Sequence, residues 1–229
     1  MEVYTIKGIA GLANTYILPI NNREIVLVDP ADFDKIKDSP FEFQSKLCYT
    51  FLTHEHWDHI AALNQLRRMY NTTTIATEKC NEGIQSEKLN LSRYISLYKT
   101  SIGMLNTAFV CMEADVTFNG YERLAISNIY VELSETPGHS RGSCCIKINN
   151  CLFTGDAILD NMDDVFGMPR HDIEKYQDVT VPILKQLALN NKDLIIYPGH
   201  GNPLKLSDAI RHIDKYMEGR YENNIVGVL

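Results

Sequence analysis

Thr53-His54-Glu55-His56-Trp57-Asp58-His59 decides the reading of this chain. It follows directly on Leu47–Thr53, a mostly apolar run with Cys-Tyr-Thr-Phe-Leu at its centre, which reads as a buried strand. His54, His56, Asp58 and His59 therefore sit where a strand runs out into a turn. In an extended segment, side chains at 54, 56 and 58 share one side. A turn into the next helix then brings His59 round to join Asp58. This piece can offer two histidines to one metal, and an aspartate with a histidine to a second. After it, Ile60, Ala61, Leu63, Leu66 and Met69 fall at helical spacing, which predicts a helix over Asp58–Tyr70.

Three further candidates lie downstream, each at the predicted end of a strand. His139 sits in Glu135-Thr136-Pro137-Gly138-His139-Ser140, Asp156 in Phe153-Thr154-Gly155-Asp156, and His200 in Tyr197-Pro198-Gly199-His200-Gly201. Pro-Gly and Gly mark tight turns, and scaffolds hold catalytic loops at such places. A lone loop histidine is usually structural. Together with the first cluster, these make seven side chains of the types Zn2+ prefers.

Outside the motifs, strand signals run at Val3–Ile9, Asn14–Ile20, Glu24–Asp29 and Thr73–Thr77, then at Arg123–Ser127, Ile129–Leu133, Ser143–Ile148, Cys151–Phe153 and Leu194–Tyr197. Helical signals cover residues 78–108, Asp172–Asn190 with a kink at Pro182, and a last helix through Met217 with Ser207 as its cap. Strands, helices, strands and helices in that order suggest an α/β class protein, a four-layer α/β/β/α sandwich in a single domain over residues 1–229, with a helical insert around 78–108.

Composition agrees with a packed globular protein. Of the 229 residues, 45% are hydrophobic and 22% charged, enough for a core and too ordinary for general disorder. A net charge of −7 speaks against a nucleic-acid partner, and no apolar run reaches the roughly 18 residues of a membrane span. The first residues lack a secretory pattern. The six cysteines form no Cys-x-x-Cys pair and read as reduced apolar residues of a cytoplasmic protein. Cys144 and Cys145, adjacent in a strand, are expected on opposite faces. A small-molecule substrate is the expected partner, and the sequence allows for a homodimer.

His-x-His-x-Asp-His, then Pro-Gly-His, Thr-Gly-Asp and Pro-Gly-His-Gly, in that order, resemble the metallo-β-lactamase-fold hydrolases. His-Trp-Asp-His and Thr-Pro-Gly-His-Ser are most similar to the glyoxalase II-like branch. The resemblance runs from Asn14-Thr15-Tyr16 through Gly201. It implies two Zn2+ ions, with iron or manganese as alternative occupants. His54, His56 and His139 would hold one, Asp58, His59 and His200 the other, and Asp156 would bridge. Asp29, after Ile25-Val26-Leu27-Val28, would accept a hydrogen bond from a ligand imidazole. The chemistry implied is cleavage of a small acyl substrate, a thioester foremost or else an activated ester or lactone. A hydroxide held between the metals would attack, with Asp58 as the catalytic carboxylate that orients it.

The chain departs from its relatives in two places. Ala61-Ala62 stand where Gly-Gly is common, which should strengthen the helix. Only 29 residues follow His200, so the helical domain with which glyoxalase II binds glutathione is expected to be missing. The insert is expected to fold over the site, with Tyr94, Tyr98 and Lys99 lining a substrate pocket and His171 as a further pocket residue. The resemblance also admits a mononuclear Fe(II) persulfide dioxygenase, using His54, His139 and Asp156, and a phosphodiesterase. A β-lactamase proper and a non-catalytic binding module are weaker fits.

Overall fold

Ile25-Val26-Leu27-Val28 is apolar without alternation and buried on both faces, as expected of a strand with layers above and below. In the computed structural model, which describes residues 2–8, 11–97 and 107–226, this strand lies in the middle of the first of two sheets. That sheet runs β1 (Tyr4–Ile6), β2 (Thr15–Pro19), β3 (Glu24–Val28), β4 (Leu47–Phe51), β5 (Thr72–Thr77) and β6 (Val116–Phe118), in spatial order. The first three strands pair antiparallel and the rest parallel. The second sheet holds β7 (Tyr121–Ile126), β8 (Ile129–Glu135), β9 (Cys144–Ile148), β10 (Cys151–Gly155), β11 (Ile195–Pro198) and β12 (Leu204–Lys205). Only β10 and β11 are parallel there.

The helices cover the outer faces. On the first sheet these are α1 (Phe33–Lys37), α2 (Trp57–Ile60), α3 (Leu63–Met69) and α4 (Glu78–Ile84); on the second, α5 (Met162–Val165), α6 (Ile173–Lys175), α7 (Val181–Asn190) and α8 (Leu206–Val226). Tyr16, Val26, Val28, Phe51 and Ile75 meet Val131, Leu133, Ile146 and Phe153 between the sheets. Ile25 and Leu27 turn outward onto Ile36 and Leu66, while Leu152 and Ile196 turn onto Leu184 and Ile213. The result is the four-layer α/β/β/α sandwich. Cys144 faces the inner core and Cys145 the outer one, and the six cysteines are free and buried.

Several local expectations needed correcting. The helix expected over Asp58–Tyr70 is two helices, and the break falls at Ala61-Ala62, where alanine was expected to strengthen it. The Ala62 amide donates to the Pro30 carbonyl (2.9 Å), so a tertiary bond replaces an intrahelical one. Among its described residues, the insert is helical as α4 and a 3-10 turn over Ser92–Leu97. Leu91 takes φ 63° between them, and residues 107–114 have no regular secondary structure and are tied down by Asn90 and Ser92 through the Phe109 carbonyl. The kink at Pro182 appears as a π turn over Tyr176–Thr180, just before the proline, which has no N–H to offer. Ser207 is inside the last helix rather than capping it. Leu206 opens that helix, its amide donating to the Leu194 carbonyl (3.0 Å), and the helix continues past Met217. The sequence signals missed β6 and the two-residue β12. No helix among the described residues is long and apolar enough to cross a membrane.

Candidate metal centre

Five strands release their chains at one edge of the sandwich, and the candidate ligands are the residues that follow them. His54 comes after β4, His139 after β8, Asp156 after β10 and His200 after β11, with Asp29 at the end of β3. The ladder stops at Phe51. His56 is extended and immediately precedes α2, whose first turn carries Asp58 and His59, so Asp58 reaches the site from a helix and not from an extended strand. Close packing demands glycine behind the ligands. A Cβ on Gly199 would stand 2.1 Å from Asp156 Oδ1 and 2.5 Å from His59 Cε1.

The structure brings the seven side chains together as overlapping groups: His54, His56 and His139; His54, His59 and Asp156; Asp58, His59 and His200. Within each, the potential ligand atoms lie within 4.8 Å of one another. His139 Nε2 is 2.9 Å from His56 Nδ1, and His200 Nε2 is 3.0 Å from Asp58 Oδ2. Asp156 faces both halves, with Oδ1 3.3 Å from His59 Nε2 and Oδ2 3.7 Å from both His139 and His200. All seven are buried except His200, which is partly exposed.

The backs of the rings are held. His59 Nδ1 donates to Asp29 Oδ2 (2.8 Å), and His139 Nδ1 donates to the Val165 carbonyl (2.7 Å). The same Asp29 accepts from the Thr53 amide (2.8 Å) and hydroxyl (2.6 Å), and takes φ 53°, a conformation aspartate tolerates. Donation from Nδ1 turns Nε2 toward the centre, the orientation a metal ligand needs.

The electrostatics divide the site. Burial pushes the His54, His56 and His139 imidazoles down, His56 to about 3 with His139 adding to the effect. Burial also works against His59 and His200, but Asp156 foremost, with the other carboxylates, holds both above the usual histidine range. Burial would raise Asp58 and Asp156, and the neighbouring imidazoles, His59 first, override it and keep both below the usual carboxylate range. One half therefore presents neutral imidazoles, and the other presents carboxylates balanced by imidazolium charge. Both suit a cation. The fit has a direct signature. His54 Nε2 is buried without a hydrogen-bond partner, and His59 Nε2 and Asp156 Oδ1 are buried with only their 3.3 Å approach to each other, a costly arrangement that ligation to a metal would relieve.

A cavity of about 400 Å3 opens over this cluster. Its walls include Trp57, Leu159, Asp164, Gly167 and Met168 beside His56, Asp58, His139, Asp156 and His200. Of the residues expected to line a pocket, Tyr94 is half-buried and packs into the cluster of Leu12, Ala31 and Trp57 instead. His171 is exposed, its Nδ1 donating to the Met168 carbonyl (2.9 Å), and it is not among the cavity walls. Tyr98 and Lys99 lie outside the described residues. Sequence reasoning missed Leu159, Asp164, Gly167 and Met168, for loop residues carry no periodic signal. It also gave no role to Glu55. This buried carboxyl accepts from Ser140 Oγ (2.9 Å), is pushed up by burial to about 7, and ties the His54–His56 turn to the His139 loop.

Comparison with known proteins agrees with this fold. The chain is 29% identical over 213 residues to a probable metallo-hydrolase of Streptococcus pyogenes, covering 88% of this chain and 84% of that one. It is 22% identical to PksB of Bacillus subtilis, a probable polyketide biosynthesis zinc-dependent hydrolase, covering 79% and 69%. The solved structure of ST1585 from Sulfolobus tokodaii superposes with a TM-score of 0.69 at 21% identity, covering 94% and 86%. The sequence signature of the Metallo-beta-lactamase superfamily matches residues 9–200, and the chain belongs to that superfamily.

Proposed function

We propose that this chain is a binuclear zinc-dependent hydrolase of small acyl substrates, thioesters foremost, on the glyoxalase II-like side of the superfamily. The observation that carries this reading is the convergence of seven ligand-type side chains around buried, unpartnered nitrogen and oxygen atoms. His54, His56 and His139 would hold one ion, Asp58, His59 and His200 the other, and Asp156 would reach both. When bound, the two ions would polarise a carbonyl and bring the pKa of water to about 7.

The protein's own groups have distinct tasks. Asp58, kept ionised, orients the attacking water by accepting a hydrogen bond from it. Trp57, Leu159 and Met168 pack against the acyl portion and exclude bulk water. His139 is kept in one tautomer by the Val165 carbonyl, and His59 by Asp29. Among the described lining residues, the titratable ones are candidate ligands and Asp164; none is Lys, Tyr or Cys. A site so poor in proton donors favours a leaving group that departs without one, which a thiolate does and an amine does not.

The test is a screen of purified protein, with metals quantified, against thioesters, lactones and phosphodiesters. Two zinc ions per chain and thioester turnover are expected. One iron per chain with oxygen uptake on a persulfide would replace this reading with the dioxygenase. Asp58→Asn should lower hydrolysis by about 10²–10⁴-fold with the fold intact, and near-normal turnover would contradict the role given to Asp58.

A further inference from the structure

Asn14 is polar, 3% exposed and not a candidate ligand, yet it stands directly behind one half of the site. Its backbone amide donates to the Gly199 carbonyl (2.7 Å), and the preceding Ala13 amide donates to the Asp58 carbonyl (3.2 Å). Its side-chain Oδ1 accepts from the Gly8 amide (3.1 Å). That fixes which end of the amide is which, so Nδ2 faces the Pro198 and Gly201 carbonyls (3.1 Å each) and the Tyr16 hydroxyl (3.2 Å). Tyr16 in turn donates to the Pro198 carbonyl (2.5 Å). One buried carboxamide therefore grips both ends of the Pro198–Gly201 turn that carries His200, while the same segment holds the backbone of Asp58.

The three-histidine half leans on other groups. His139 rests on the Val165 carbonyl, the His54 ring lies 3.2 Å from Thr53 Oγ1, and Glu55 joins the two loops through Ser140. Asn14 contacts none of these groups. The tolerance at His200 is small, because even a Cβ added at Gly199 would collide with Asp156 Oδ1 and His59 Cε1.

We propose that Asn14 is a positioning residue for the Asp58–His59–His200 half, so that this half's grip on its ion can be lost while the His54–His56–His139 half keeps its own. The inference rests on the two-metal reading above. Asn14→Asp is nearly isosteric. It keeps an acceptor for the Gly8 amide but turns only oxygen toward the Pro198 and Gly201 carbonyls.

The experiment titrates metal-stripped, full-length protein with Co2+, counting ions bound per chain. Wild type should take up two. Asn14→Asp should keep one at wild-type affinity and bind the second about 10–100-fold more weakly, matching the loss seen in His200→Ala. Circular dichroism of the metal-free variant reports folding, and Asn14→Ala, which introduces no charge, serves if the aspartate does not fold. Unchanged binding of both ions, or equal loss of both, overturns the proposal. Wild type that binds fewer than two ions strikes the two-metal reading instead, and that outcome is visible before any variant is made.

Discussion

Replacing Asp29 by asparagine isolates the charge behind the metal centre. Asparagine accepts φ 53° as readily as aspartate, so the backbone contributes little to the change. The carboxylate serves three donors: the Thr53 amide on one oxygen, and the Thr53 hydroxyl and His59 Nδ1 on the other. An amide has only one oxygen. Whichever way it turns, its NH2 confronts a buried N–H, either that of Thr53 or that of His59. Leaving one buried donor unsatisfied costs about 1–3 kcal/mol, and exchanging a charged acceptor for a neutral one costs about 1 kcal/mol more. The expected loss is about 2–4 kcal/mol, measured as a shift of the denaturant midpoint at constant slope in metal-free protein. His59 loses its orienting partner too, so one of the two ions should bind about 10–100-fold more weakly by calorimetric zinc titration. A stability change below about 0.5 kcal/mol together with unaltered zinc affinity would refute the reasoning.

Gly199→Ala places a methyl where Asp156 and His59 already stand, and should cut thioester turnover about 10²-fold by displacing His200. Turnover near wild type would mean that the loop has more room than its contacts imply. In metal-free protein, His56 titrates at about 3 when folded, against an ordinary histidine value near 6.5. Its contribution to stability is present above about 6.5 and is lost as pH falls toward 3, because the unfolded chain binds the extra proton. His56→Gln lacks this loss. The variant should gain on wild type by up to about 1.4 kcal/mol per pH unit of acidification in chemical denaturation; a gap that is flat or moves the other way would disprove the shift.

Much of this was legible along the chain because chemistry and local geometry coincide there. His54, His56, Asp58 and His59 lie in one strand-to-helix turn, so a few residues of sequence describe one side of the centre. Pro-Gly-His and Thr-Gly-Asp announce strand ends, since glycine and proline act through their own backbone dihedrals. The two-sided burial of β3 could be read from its unbroken apolar run.

What the tertiary structure alone decided is where distant groups meet. Ala61-Ala62 favours a helix locally, yet the Pro30 carbonyl, more than thirty residues away in sequence, takes the Ala62 amide and breaks it. Leu159 and Met168 look like any loop apolar residues until Asp156 and His200 stand beside them. Asn14 reads as an ordinary residue at the start of a strand, and its part depends on carbonyls almost two hundred residues later. Propensity and motif are properties of neighbours in the chain. A cavity wall or a brace is a property of neighbours in space, and only packing the two sheets together chooses those.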